Sequence, residues 1–556
     1  MKSHYPLLVQ SADASVPAIL KRQCMEAAHP DYGGFPEARK GFAEPAHGVG
    51  TAASLAVLYW NDRSVYHGDP MLLERAILAC DHTLRQMHAD GTMDLIETNF
   101  HDATSVGFAI WNVSPAYRVL KRYSRGSDLE ARLEERLEEF MRRGADGMKH
   151  GGFHTPNHRW VMASAMAMLS NDLERPDLLA DVQEYLDEGI DCNSDGEYTE
   201  RSAGIYNVVN NKGLITVAEE LGKWELLDHV KRNLYMVFTY LEPDDTILTI
   251  NSRRQDLGKE LYPFAYYENY LLAAHHLDNP HFAHMADELL QMTNPYEKDK
   301  SPLNRKHFPK PVALYMLNDR IRETEPRREA YDREHYERFY RDSSIVRIRD
   351  ADVSLTVLAG KDVFFKLQSG ALSVHCRFAA SFFGDYGRFV PTSLEKTDEG
   401  YRLHYHSDRG YVRPLGRPDG AIADGRINTA HREHTHMQAW DVTVDVIPTD
   451  DGADLHIVCA GVEHLPCKLE LLFPSGGHFD SDQAQLRAEA GQHLMVKNGS
   501  FSYAKGDDLI RVDGAFGGNT SYHYDLRGSL AQDPDAFTVY FTDFSPTTKT
   551  VRIRGR

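Results

Sequence analysis

Residues 344–360, SIVRIRDADVSLTVLAG, mark the point where this 556-residue chain changes character. From Ile345 onward apolar residues alternate with arginine and then, past the turn Asp350-Ala351-Asp352, with serine and threonine. A period of two places one set of side chains on one face of a strand. The same signature recurs downstream in VFFKLQSG (363–370), AWDVTVDVIPT (439–449), DLHIVCAGVEH (454–464), CKLELLFPSGG (467–477), HLMVKNGSFSYAKG (493–506) and AFTVYFTDFSPTTKTVRIRG (536–555). Short β-branched or aromatic runs that follow one another without helices between them predict an antiparallel β-sandwich over 331–556.

Upstream the period is different. From about Ala46 to Leu290 apolar residues recur at helical spacing, broken by turns containing Gly, Asn, Asp or Pro. The pattern predicts helices at His47–Trp60, Pro70–Met87, Asp102–Tyr123, Ser127–Gly144, Asn157–Ser170, Asp177–Glu188, Ala203–Leu221, Trp224–Tyr240, Tyr262–Leu277 and Pro280–Met292. The first members of successive pairs begin near 47, 102, 157, 203 and 262, a loose repeat of helical hairpins without a shared motif. The first 330 residues therefore read as an α/α toroid, an incomplete barrel of about five hairpins, and the polar stretch 318–340 as a helical linker to the sandwich.

Composition narrows the function classes. With 62 basic against 82 acidic residues, the net charge of −20 argues against a nucleic-acid partner held by a broad basic face. A small anionic ligand in a local arginine-lined cleft is still compatible with that envelope. Six scattered cysteines form no CxxC pair, so neither a disulfide framework nor a cysteine zinc site is expected. The N-terminus lacks a sustained apolar core and no run of about 18 apolar residues follows. The reading is a cytoplasmic protein with no membrane partner; whether it assembles with copies of itself is left open.

Several polar clusters fall at predicted inner-helix starts. Asn157 and His158 open a helix of otherwise small and apolar residues; read structurally, Asn157 only caps it. The stretch 195–214, DGEYTERSAGIYNVVNNKGL, gathers Glu200, Arg201, Tyr206 and Asn210, with Tyr206 and Asn210 on one helix face. Polar residues on an inner face cost free energy unless they line a cavity. Arg253 and Arg254 present a pair of guanidinium forks suited to carboxylate or sulfate, or else to surface ion pairs. His101 precedes Asp102 at another inner-helix start, and Tyr266 offers a ring for sugar stacking. On the first sandwich strands His375 and Arg377 share a face. His431, His434 and His436 are spaced closely enough for a metal, but no HExxH helix or complete ligand set accompanies them, so no cofactor is required by this reading.

Histidine, tyrosine, asparagine and arginine together suit proton abstraction beside a carboxylate, with donors stabilising the charge that develops. The order of these features resembles the heparinase II/III-like polysaccharide lyases, including the alginate oligosaccharide lyases, over residues 45–556. That resemblance implies β-elimination on a uronic-acid-containing oligosaccharide, with Asn157 neutralising the carboxylate, His158 as a base, Tyr206 as acid and base, and His375 assisting. It further implies that Arg253 and Arg254 hold the acidic sugar, with Arg201, His101, Asn210 and Tyr266 as further binding residues. Arg377 stands where some relatives carry a zinc-binding histidine, which argues against their zinc site. Two rival readings are a toroid glycoside hydrolase using Asp102 and Glu200, and a non-catalytic protein that binds acidic glycans.

Overall fold

A computed structural model describes residues 1–292, 311–417, 420–423, 425–517 and 526–556. The chain divides into two compact units, Met1–Phe238 with Ile247–Tyr331, and Thr239–Thr246 with Asp332–Arg556.

The first unit is an α/α toroid. Its helices are α1 (His4–Arg22), α2 (Pro45–Trp60), α3 (Pro70–Gln86), α4 (Ala103–Tyr123), α5 (Asp128–His150), α6 (Pro156–Asp172), α7 (Leu178–Asp187), α8 (Tyr206–Leu221), α9 (Leu227–Tyr240), α10 (Tyr267–Leu277), α11 (Pro280–Gln291), α12 (Pro311–Leu317) and α13 (Asp319–Glu323). Helices α2, α4, α6, α8 and α10 pack side by side in that order as an inner ring, and α3, α5, α7 and α11 lie outside their partners. Helix α6 shows why inner helices are bland. Every residue from Trp160 to Ser170 is buried, because neighbours on both sides and an outer helix leave no face for solvent. Outer α5 instead buries the stripe Leu133, Leu137, Phe140, Met141 and Gly144 and keeps its other face charged. Close approach of α6 and α8 requires Gly213, since a Cβ there would lie 2.8 Å from the Trp160 carbonyl oxygen.

Helix α1 was not anticipated in the sequence. With α12 it forms a sixth pair drawn from opposite ends of the unit: Tyr315 of α12 stacks on Tyr5 of α1 at 5.3 Å and meets the Tyr267 hydroxyl of α10 at 3.3 Å. Within the expected linker only α13 is helical, directly after the end of α12 at Leu317. Residues His335–Tyr340 pair with Ile345–Asp350 as the edge strand of the sandwich, and Tyr336 and Tyr340, four residues apart at the strand period, both hydrogen-bond to Thr239.

The second unit is a sandwich of an eight-stranded and a nine-stranded sheet, antiparallel except where His493–Met495 runs parallel to Ala536–Phe544. Facing residues such as Val357, Leu367, Val374, Trp440, Val444 and Ile457 fill the core at the strand period. The other face of the eight-stranded sheet is polar yet buried. Segment Thr239–Thr246 lies there, and Glu242 accepts from Arg347 (2.9 Å), Lys366 (2.8 Å) and Ser354 (2.5 Å). These two cations hold the Glu242 carboxyl far below the usual carboxylate range despite complete burial.

Candidate active site

The N-terminal ends of the inner helices collect the polar residues. In α6 the helix starts one residue earlier than expected. Pro156 occupies the first helical position, where its fixed φ and missing N–H cost nothing, and Thr155 is the cap residue. Asn157 is thus not the cap; it sits in the first turn, and its side chain is free to reach another element. It is fully buried and donates from Nδ2 to both oxygens of Glu200 at 3.0 and 2.9 Å, while its main-chain N–H reaches Glu200 Oε2 at 3.2 Å.

Glu200 joins several of the predicted residues. It is 3% exposed, lies 3.3 Å from Arg254 Nε, and its main-chain carbonyl accepts from Arg253 N at 3.0 Å. Burial raises its pKa against the pull of Asn157 and Arg254. Arg254 then stacks its guanidinium 4.9 Å from the centre of the Tyr206 ring. Gln255 donates to the Tyr206 hydroxyl oxygen, so the hydroxyl's own proton points elsewhere. Tyr206 is the first residue of α8 and half-buried.

His158, one residue beyond Asn157, stands edge-on to His154 at 4.8 Å and to Phe108 at 6.1 Å. Burial above all, then the neighbouring His154 and Arg254, lowers its pKa to about 4, against an opposing pull from Asp102. It is therefore neutral near pH 7 and able to accept a proton. Its buried Nδ1 has no hydrogen-bond partner among the described residues.

The loop carrying Arg253 to Asp256 is pinned by Asp256, which accepts from Ser202 Oγ (2.9 Å) and Gly204 N (3.1 Å) and from the Ser252 hydroxyl. Gln255 and Asp256 lie inside the NSRRQD motif, yet nothing in the sequence showed that they face the 202–206 turn. Arg201 adopts a left-handed backbone (φ 52°) with its Nε 3.8 Å from Glu197. Glu197 in turn accepts from Asn251 at 2.7 Å. Arg253 is exposed and only grazes the Thr199 carbonyl at 3.4 Å.

Other expected residues are placed differently. Tyr266 is 1% exposed and donates to the Ala203 carbonyl at 2.7 Å, so it supports the α8 entry from the core and offers no ring to a ligand. Asn210 is also fully buried, and neither polar atom of its side chain has a partner among the described residues. His101 belongs to a hairpin, stacked on His88 at 3.9 Å and bonded to Asp90 at 2.6 Å. Asp102 caps α4, accepting from Thr104 N (2.9 Å) and Ser105 Oγ (2.7 Å).

In the sandwich unit His375 lies beside Lys366 on the buried polar face, half-buried as a residue. Burial of its ring, then Lys366, lowers its pKa to about 3, so it carries no charge at neutral pH. Arg377 is 3.2 Å from Glu470. His431, His434 and His436 are exposed, and among the described residues no three His, Cys, Asp or Glu side chains gather where they could share an ion.

A toroid of helical hairpins followed by an antiparallel sandwich is the fold of a class of polysaccharide lyases. Among solved structures, the chondroitin AC lyase of Streptomyces coelicolor A3 matches 100% of this chain and 80% of its own at 11% identity, with a TM-score of 0.52. A Paenibacillus xanthan lyase matches 98% of this chain at 9% identity and a TM-score of 0.56, and this chain spans 56% of its length. The heparan sulfate lyase HepC from Pedobacter heparinus matches 92% of this chain and 76% of its own at 10% identity and a TM-score of 0.48. At these identities the likeness is one of fold. No family model and no curated protein matches the chain. No helix among the described residues is long and apolar enough to cross a membrane.

Proposed function

We propose that the toroid unit carries the active site of a lyase that cleaves a uronic-acid-containing oligosaccharide or polysaccharide by β-elimination, leaving a 4,5-unsaturated uronate. The observation that carries this reading is the Glu200–Arg254–Tyr206 assembly beside a neutral His158. The C5 proton of a uronate is hard to remove because the adjacent carboxylate resists further negative charge. Arg254 supplies the positive charge that the intermediate needs. Asn157 was expected to neutralise the carboxylate, but its amide hydrogens are already given to Glu200 and Thr155. In this proposal it holds Glu200, and through it Arg254, in place.

His158 takes the C5 proton, the C5–H electrons become the C4–C5 double bond, and the C4–O bond breaks. Tyr206 delivers a proton to the departing oxygen, since Gln255 occupies an acceptor site on the phenol and leaves its O–H available. Arg253 and Arg201 are proposed to bind the acidic sugar. The hydrolase reading finds less support, because Asp102 is committed to a helix cap and both Glu200 oxygens to Asn157.

Ultraviolet absorbance during incubation with uronate oligosaccharides tests the proposal, because elimination creates a conjugated double bond and hydrolysis does not. A rising signal in the wild type, lost in Tyr206→Phe, is the expected result. New reducing ends without absorbance would overturn the lyase reading.

A further inference from the structure

Large apolar side chains that the sandwich unit leaves in solvent are not scattered over it. Among the described residues they are Phe383, Tyr386, Tyr411, Ile422, Ile427 and Met437, all between residues 383 and 437. Five of the neighbouring groups make two contact sets, joined by the strand that carries both Arg409 and Tyr411. The Phe383 ring lies 5.6 Å from that of Tyr411, Tyr411 lies 6.5 Å from His436, and the Arg409 guanidinium sits 3.6 Å over the ring of Tyr386. Arg409 and Tyr411 are two apart on the strand Tyr401–Val412, hence on one face of it.

The backbone is bent to make this surface. Phe383 (φ 41°) and His436 (φ 51°) take left-handed conformations without being glycine, and the pairing of Tyr401–Val412 with His434–Thr449 shifts register between Thr435 and Gln438. Bulges and strained residues of this kind re-aim side chains and concentrate at functional sites.

Arg409 determines which ligand fits. It has no carboxylate partner among the described residues; Nη1 donates to the Asp408 main-chain oxygen at 2.7 Å, and buried Nε has no acceptor. Residues 401–437 hold six arginines and no lysine against four acidic residues, in a chain whose net charge is −20. An unpaired guanidinium fork flanked by exposed rings complements a ligand with an apolar ring face and a carboxylate or sulfate.

We propose that Phe383, Tyr386, Arg409, Tyr411 and His436 form a binding surface for an acidic saccharide, with a sugar ring packed on Tyr411 and its anionic group on Arg409. Choosing a sugar acid among anionic ring compounds rests on the lyase reading above. The surface itself rests on the geometry of the sandwich unit alone.

Hydroxyl-radical footprinting of the full chain, carrying Tyr206→Phe to suppress turnover, reads these rings directly. The probes are a uronic-acid hexasaccharide, its carboxyl-reduced neutral counterpart and a thymidine oligonucleotide. The acidic sugar is expected to protect Tyr386 and Tyr411 from oxidation while the neutral sugar does not. Arg409→Ala is expected to raise the concentration giving half-protection about tenfold, as for loss of one charge-assisted contact. Tyr411 is exposed, so Tyr411→Ala gives a second variant that leaves the core intact, with the same loss expected.

Absence of protection, or equal protection by the neutral sugar, overturns the proposal. Equal protection by the oligonucleotide makes the surface a general polyanion site, and protection that grows with protein concentration alone makes it a self-association face; either result also overturns it. Ultraviolet absorbance of the wild type separates this question from the catalytic one. Elimination without a footprint sinks only the surface, and a footprint without elimination sinks only the lyase.

Discussion

Replacing Glu200 with glutamine tests whether the site is held together as its geometry implies. In the wild type two oxygens accept three contacts from Asn157 at 2.9–3.2 Å and face Arg254 at 3.3 Å. Glutamine has one acceptor oxygen, and its own amide would confront that of Asn157. At least one buried donor then loses its acceptor, and Arg254 loses its counter-charge. Losing a charge-assisted bond at a site this buried costs about 1–3 kcal/mol. If that cost falls on the alignment of Arg254 over Tyr206, kcat drops by roughly ten- to a hundredfold, with each tenfold step near 1.4 kcal/mol. The assay is the initial rate of ultraviolet absorbance against substrate concentration, paired with thermal unfolding. The expected result is a fall concentrated in kcat with Tm lower by only a few degrees. Unaltered kcat in a folded Glu200→Gln protein would refute the positioning role. Complete loss of turnover in Glu200→Gln, with a wild type that makes reducing ends and never a conjugated product, would place Glu200 in a hydrolase instead.

Other outcomes follow from the same geometry. Tyr206→Phe should lower kcat by about 10²–10⁴, the range for a removed general acid or base, measured by the same absorbance assay. His158 works as a base only when unprotonated; its pKa of about 4 puts the acid limb of kcat/KM near that value rather than near the ordinary 6.5. His154→Ala removes a group that depresses this pKa, so the limb should move upward in a pH–rate profile. Stability has a related pH dependence. Between about pH 6.5 and 4 the unfolded chain binds the proton that folded His158 refuses, so acidification through this window destabilises the fold, and the Tm should fall less steeply with pH in His158→Asn. Glu242→Gln leaves Arg347 and Lys366 as buried cations without their counter-charge, at a cost of about 3–5 kcal/mol seen in chemical denaturation.

The five expected hairpins were legible because inner helices such as α2 and α6 are mostly small and apolar while α5 carries one stripe, and both patterns are local. Strands were legible wherever one face meets the core, as in 440, 442, 444 and 446. Helix α1 escaped because its interest lies in pairing with α12, about 300 residues away, which no local period records. Asn157 was identified as a site residue, yet its engagement by Glu200 depends on a helix start and a turn meeting across 43 residues. Tyr266 misled because an aromatic ring near a cleft and one beneath it have the same letter; burial alone separates them. Gln255 and Asp256 carried no signal, since a polar loop reads the same whether it faces water or the 202–206 turn.

Segment Thr239–Thr246 belongs with the sandwich although it lies nearly a hundred residues before the rest of that unit. The sandwich is consequently not a cassette that a single cut could excise or a single fusion transplant. A fragment starting at Asp332 would retain Arg347 and Lys366 but leave behind the one carboxylate that both of them contact. Gene rearrangements that trade the C-terminal part of such a chain would have to carry this eight-residue insert along, or replace three charged residues at once. One structural unit is thus presented by the order of the sequence as two separate pieces.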